Sequence, residues 1–403
     1  MGWIASSLGE RDAAMSLFHW NEPSEPRDEL RIGPLRDLLA NTFFPGTTTL
    51  QRGAKYFLLV PAMYAAIEGD PKLRSYPESS ILDQEETLLH RLLARYDDGD
   101  RVIGGRFRKV PDTPPSAIYW NGLHTWGIRR FNDSRVHYHA VLRRSPRTSK
   151  VERHEEGGEE RRVPWLEVPG STGLLAAPRL ELTSEEAEFL EDRIRTLTTN
   201  AGAPLLRELL DVTVLPGTGE LWNTAPVRSG HVALAEYARD AQRLADAHHG
   251  AMLLYNFLCA RQFENAEGAD NWAAQCDAWS AAHPAERWGA WDLNAFWTRA
   301  ERLERGRRAV ERTRGFVTSL VAGLAAQPRG GLRGSRDLRV TVLSRERMVK
   351  GNRTRLSPPH SLHGWKPSGV GVERLDFRWR PASRILYDIQ EGRRRATGAG
   401  ANR

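Results

Sequence analysis

The run Tyr56-Phe57-Leu58-Leu59-Val60 constrains the fold most, because so dense an apolar block has to be buried on every side. It lies within residues 31–68, which read as two helices folded back on each other around Phe44-Pro45-Gly46. Gly33 and Pro34 open the first helix, since proline's missing N–H costs nothing at a first helical position. Leu35, Leu38, Leu39 and Phe43 then recur at helical spacing along one face. Thr48 and Gln51 have the spacing of a capping box and predict the start of the second helix, which carries Arg52 and Lys55 one turn apart. Pro61 is expected to kink or end it. The apolar run makes this helix central.

Helical periodicity dominates elsewhere. Residues 9–20 predict a short amphipathic helix, and Ser80 to Tyr96 a longer one with Ile81, Leu82, Leu88, Leu89, Leu92, Leu93 and Tyr96 along one stripe. Ser116 is expected to cap a helix that runs through Trp126 and ends at Gly127. Val136 to Leu142 alternates like a strand, with His137 and His139 on one face. Residues 144–174 carry charge runs and few large apolar side chains, the composition of a mobile linker or inserted loop. Thr183 and Glu186 form a second capping box, and 230–263 predicts the longest helix. Trp272, Trp279, Trp288, Trp291 and Trp297 read as core wedges between helices. Helices are predicted over 301–326, 338–355 and 381–391, with a basic, disordered tail after them.

These elements give a mainly α, multi-helical chain: two helical units, a few short strands and a basic C-terminal region. The expected division is an N-terminal helical domain over 1–143 and a linker or insertion over 144–178. A second helical domain over 179–328 and the basic region over 329–403 follow. At 403 residues the chain is long enough for two domains. No apolar run approaches the roughly 18–20 residues that span a bilayer, so no membrane partner is expected. Two cysteines, and no basic region before an apolar core at the start, point to a reducing compartment, the cytoplasm.

Charge is unevenly distributed. Residues 301–403 hold 24 Lys/Arg against 9 Asp/Glu, a net +15, whereas residues 1–300 sum to −8. A basic end on a mildly acidic body is the footprint of a contact with nucleic acid or with an acidic protein. The candidate phosphate-contacting side chains are Arg305, Arg308 and Arg312 on one helix, Arg345, Arg347, Lys350, Arg353 and Arg355 further on, and Arg52 and Lys55 near the start. Internal ion pairs one turn apart are the alternative use of the first three.

No catalytic residue is assigned. Gly-x-x-x-x-Gly-Lys, Gly-x-Gly-x-x-Gly, His-Glu-x-x-His and Gly-x-Ser-x-Gly are all absent, as is the Glu-x-Lys of nuclease cores. His137/His139, His248-His249 and His360-x-x-His363 each lack a third ligand, so neither metal nor cofactor is expected.

Several short patches carry a resemblance. They are Met1-Gly2-Trp3-Ile4, Ile32-Gly33-x-x-Arg36-Asp37, Phe44-Pro45-Gly46-Thr47-Thr48-Thr49 and Tyr56-Phe57-Leu58-x-x-Pro61. Ile118-Tyr119-Trp120-x-Gly122-Leu123-x-x-Trp126-Gly127-Ile128, Leu254-Tyr255-Asn256, Arg345-Glu346-Arg347-x-x-Lys350-Gly351 and Asp376-Phe377-Arg378-Trp379 continue the set. In this order they resemble an uncharacterised bacterial family known only as a domain of unknown function, over nearly the whole chain. The chain departs from that family's pattern between about residues 146 and 174 and in its arginine-rich end. The resemblance implies no activity. It implies a component of bacterial gene clusters, anti-phage systems among them. The resulting expectation is a non-catalytic accessory subunit that holds nucleic-acid backbone, DNA first, through its basic end and docks other protein subunits. A pure interaction scaffold and an unrecognised nuclease or hydrolase are the alternatives.

Overall fold

The computed structural model describes residues 28–97, 99–144, 165–263, 266–326, 331–357 and 368–400. The predicted helix over 9–20, the patch Met1–Ile4 and the pair His360/His363 lie outside them. The chain is mainly helical. Helices of ten residues or more are α1 (Gly33–Phe43), α2 (Tyr56–Gly69), α3 (Pro77–Leu93), α4 (Pro115–Thr125), α5 (Arg135–Arg144) and α6 (Ser184–Arg195). They continue with α7 (Ala235–Gln262), α8 (Ala266–Ala282), α9 (Leu293–Arg302), α10 (Gly306–Ala325), α11 (Arg336–Lys350) and α12 (Trp379–Gly400). Among the described residues, strand-like pairing is confined to the isolated bridges Arg129↔Trp165 and Thr199↔Gly202.

Two compact units result, each built from separated segments. The first comprises Met1–Leu39 and Arg239–Phe377, the second Ala40–Ala238 and Arg378–Arg403.

In the second unit α2 is buried almost all round, as its apolar run demands, and packs on α3 and α4. Phe57 stacks on Trp126 with ring centroids 3.8 Å apart, and the Trp126 indole donates to the Pro45 carbonyl at 2.9 Å. Gly122 makes this approach feasible: a Cβ there would stand 2.3 Å from the Gly46 carbonyl oxygen. A second aromatic group joins Tyr64, Trp120, Tyr138 and Trp165, with Trp165 donating to the Tyr138 hydroxyl at 2.7 Å. α12 lies along α6, and Gln390 donates to the Val212 carbonyl at 2.6 Å.

Several expectations need correction. α2 starts at Tyr56, not at Thr48; the Thr48 N–H donates to Gln51 Oε1 at 3.2 Å, but this closes a local turn. Pro61 sits inside α2 and the helix continues to Gly69, because burial on all sides outweighs one lost backbone hydrogen bond. Residues 136–142 are helical, not a strand. Two residues then turn roughly 200°, so His137 is exposed beside Asp133 while His139 is buried against the Tyr64 hydroxyl at 2.9 Å. α12 continues through the predicted tail as far as Gly400, with Arg393 paired to Glu191 at 3.2 Å and Asp211 at 3.1 Å. The capping box Thr183/Glu186 forms with both reciprocal bonds.

In the first unit α10 packs on α9 and α11. Gly323 of α10 lies against Leu338 at the start of α11, while Phe316 lies under Arg345 further along, so the two helices run antiparallel. The five clustered tryptophans are all buried, and Trp291 donates to Asp240 at 2.9 Å.

Candidate nucleic-acid interface

Antiparallel packing brings the beginning of α10 and the end of α11 to one end of the helix pair. The ten candidate cations sort into two groups by what their charges meet.

Four serve the interior. Lys55 of the second unit is 4% exposed and donates to both Glu186 oxygens at 2.6 Å. Arg345 is 6% exposed and distributes its guanidinium over three backbone carbonyls, Leu30 and Arg31 at 2.8 Å and Arg312 at 3.2 Å. It also lies 5.1 Å over the Phe316 ring. Lys350 and Arg355 share Glu29, at 2.5 and 2.7 Å, and both donate to the Tyr255 hydroxyl at 2.7 Å. Guanidinium and ammonium groups held this way are engaged in the interior and keep little contact with solvent.

Glu346 completes that cluster. It is fully buried, and its Oε1 accepts from Tyr255 Oη (3.1 Å), Lys350 Nζ (3.0 Å) and the Arg355 backbone (2.9 Å). Its Oε2 accepts from the Leu356 N–H at 3.0 Å. Two cations and two carboxylates therefore balance around one phenol. The two carboxylates, the phenol and the two cations hold one another, so the arrangement fastens residues 350–356 to α11. Burial pushes the Tyr255 hydroxyl up, and the Cys259 thiol up to about 12. Cys276 is likewise pushed up to about 12, so both thiols stay protonated at neutral pH and are poor nucleophiles.

The remaining candidates are exposed. Arg308 and Arg312 lie one turn apart on α10, and Arg347 lies near the end of α11; none of the three meets a carboxylate among the described residues. Arg353 is exposed just past α11. Arg305 precedes α10 in a left-handed conformation (φ +64°), so it caps the helix start instead of extending the ridge of Arg308 and Arg312. Arg305 stands 4.0 Å from its sequence neighbour Glu304, and Arg314 pairs with Glu301 at 3.1 Å. Arg52 is exposed in the second unit.

Sequence reasoning missed Arg31, an exposed residue whose carbonyl Arg345 holds and whose φ is +51°. It also missed Glu29, the counter-ion to Lys350 and Arg355. The patches around Tyr255 and Arg345-Glu346-Arg347-x-x-Lys350, with Tyr255 and Glu346 91 residues apart, were a usable signal: they meet in one polar cluster. Among the described residues, no three His, Cys, Asp or Glu side chains come together to hold a metal ion. Nor is any helix long and apolar enough to cross a membrane.

A family model described as a family of unknown function (DUF6361) matches residues 1–392. No curated protein and no solved structure matches the chain.

Proposed function

Taking as premise that the chain belongs to the DUF6361 family of unknown function, we propose that it is a non-catalytic accessory subunit that holds nucleic-acid backbone. The observation that carries this reading is the group Arg308, Arg312 and Arg347, exposed and, among the described residues, without acidic partners at one end of the α10–α11 pair. Exposed guanidinium groups on rigid helices suit phosphate, because their planar donors need no refolding to meet it. Arg345 then acts as a positioning residue that fixes the backbone of Arg31 and Arg312 without touching the ligand. The earlier resemblance adds the setting: a bacterial, cytoplasmic multiprotein system, anti-phage in role, with DNA as the first ligand to test.

Truncation at residue 300 would remove much of the first unit and α12 of the second, so point variants make the better test. Electrophoretic shift of the full chain on DNA across a salt series should give a steep loss of affinity with salt. Each lost phosphate contact lowers the slope by about 0.9. The triple variant Arg308→Glu/Arg312→Glu/Arg347→Glu should therefore reduce it by about 3. Unchanged affinity and slope would refute the assignment.

A scaffold reading has its own support. The outer side of α11 exposes Val340 (51%) and Met348 (69%) beside Arg336, Arg339 and Arg347, a surface suited to an acidic, partly apolar protein segment. That reading gains if DNA is not retained at physiological salt while co-purifying proteins are lost from the same triple variant.

A further inference from the structure

In the second unit a cleft of about 290 Å³ opens between α3 and the segment Arg108-Lys109-Val110. Leu82, Leu89 and Val110 give it apolar walls. Glu86 and His90, one turn apart, line it from α3, and Arg108 and Lys109 line it from the loop.

The loop closes tightly on its glycines. Gly104 has φ +82°, and a Cβ on it would stand 2.3 Å from the Lys109 carbonyl oxygen. The Gly104 carbonyl accepts the Phe107 N–H at 3.2 Å and the Lys109 N–H at 3.3 Å. Tyr56 of α2 accepts the Ile103 N–H on its hydroxyl at 3.0 Å and so ties down the start of the loop. Arg108 stands at φ +52°, a conformation that a long side chain takes only where its surroundings impose it. Phe107 is thereby presented to solvent, 73% exposed, between Arg106 and Arg108. Arg106 pairs with Asp100 at 3.2 Å, whereas Arg108 and Lys109 meet no carboxylate among the described residues, Glu86 of the same cleft included.

An exposed ring, two uncommitted cations, apolar walls and a carboxylate thus lie together, and a ligand has to suit all four. An acidic protein segment suits the cations and the apolar walls, but Glu86 repels it. A nucleotide suits every part. Its phosphates meet the cations, its base packs on apolar and aromatic surface, and a base amino group donates to a carboxylate. The strand has to be single, because a duplex keeps its base faces inside the stack.

We infer that this cleft takes one base of a single-stranded nucleic acid, with Arg108 and Lys109 on the flanking phosphates, Phe107 stacked on the adjoining base and Glu86 accepting from the amino group of the inserted one. The inference shares a ligand class with the α10–α11 reading but none of its residues.

Fluorescence anisotropy of labelled homopolymers tests it: cytosine against thymine as DNA, and cytosine against uracil as RNA. The full chain carrying Arg308→Glu/Arg312→Glu/Arg347→Glu is titrated in, so that the cleft is read by itself. Cytosine should bind better, because thymine and uracil turn carbonyl oxygens towards Glu86 where cytosine has its amino group. Phe107→Ala should weaken binding about tenfold or more, the size of one lost base–aromatic stack. Arg108→Gln/Lys109→Gln should lower the salt slope by about 1.4, at about 0.7 for each contact with a single strand. Glu86→Gln should abolish the cytosine preference, which a merely structural glutamate would not do. All four side chains are exposed, so folding is not at stake. The sugar with which these effects appear identifies the strand as DNA or RNA. Absence of single-strand binding, unchanged affinity in Phe107→Ala, an unchanged slope in the double variant or equal binding of cytosine and its competitors overturns the inference. So does an acidic peptide that Arg108→Gln/Lys109→Gln weakens while the oligonucleotide is unaffected. None of these results touches the α10–α11 reading, which is tested on the unsubstituted chain.

Discussion

Glu346→Gln tests whether the buried ion cluster is a structural clamp. The substitution keeps shape and removes one charge, leaving Glu29 as the carboxylate that Lys350 and Arg355 share. Glutamine also offers one acceptor oxygen where the carboxylate has two. With that oxygen at the Oε1 position it can keep Tyr255, Lys350 and the Arg355 amide, but its NH2 then faces the Leu356 N–H, donor against donor. Breaking a buried charge arrangement costs about 3–5 kcal/mol, and an orphaned buried N–H about 1–3 kcal/mol. The two overlap, because relaxing residues 350–356 relieves both, so the expected loss is about 4 kcal/mol. That is a large share of the about 5–15 kcal/mol that holds a typical domain together. In urea the first unit's transition should move to lower concentration at unchanged slope. Hydrogen exchange at the Arg355 and Leu356 amides should accelerate before the rest of the unit. A loss under about 1 kcal/mol, with the Leu356 amide still protected, would refute the reasoning.

Two further substitutions probe the second unit. Lys55→Met leaves Glu186 buried and unpaired and should cost about 3–5 kcal/mol in denaturant melts. It should leave the salt slope of DNA binding unaltered; a slope that falls by about 1 would return Lys55 to the phosphate contacts. Asp388 accepts the Ala54 N–H at 2.9 Å, and burial pushes its carboxyl up from 3.8 to about 6. The folded state thus holds that proton more tightly than the unfolded chain. Its stabilising contribution is full below about pH 4 and is lost as pH rises through about 6, by up to about 3 kcal/mol. Asp388→Asn keeps an acceptor for Ala54 and should flatten this part of the stability–pH curve, measured by urea melts; an unchanged slope would exclude Asp388 as its source.

Local rules carried a good deal of this protein. Apolar spacing around Leu35–Phe43, the density of Tyr56–Val60 and the reciprocal cap of Thr183 and Glu186 each depend on residues within a turn or two of one another. That is why helix content and a central α2 were legible. The strand expectation over 136–142 failed for a related reason: alternation over seven residues fits either period, and the partners of Tyr138 and His139 lie far off, on α2 and beyond. Pro61 misled in the same way, since the packing that holds α2 together around it comes from α3 and α4.

The ten candidate cations show the division most sharply. Sequence alone determined that residues 301–403 are strongly basic and that a ridge of arginines runs along one helix, because charge and helical spacing are properties of the chain itself. Only the tertiary structure decided which cations remain available: Arg308, Arg312 and Arg347 face solvent, whereas Lys55, Arg345, Lys350 and Arg355 are spent on carboxylates and carbonyls in the interior. A charge's availability depends on what folding places within about 3 Å of it. For Arg355 that partner is Glu29, more than 300 residues away.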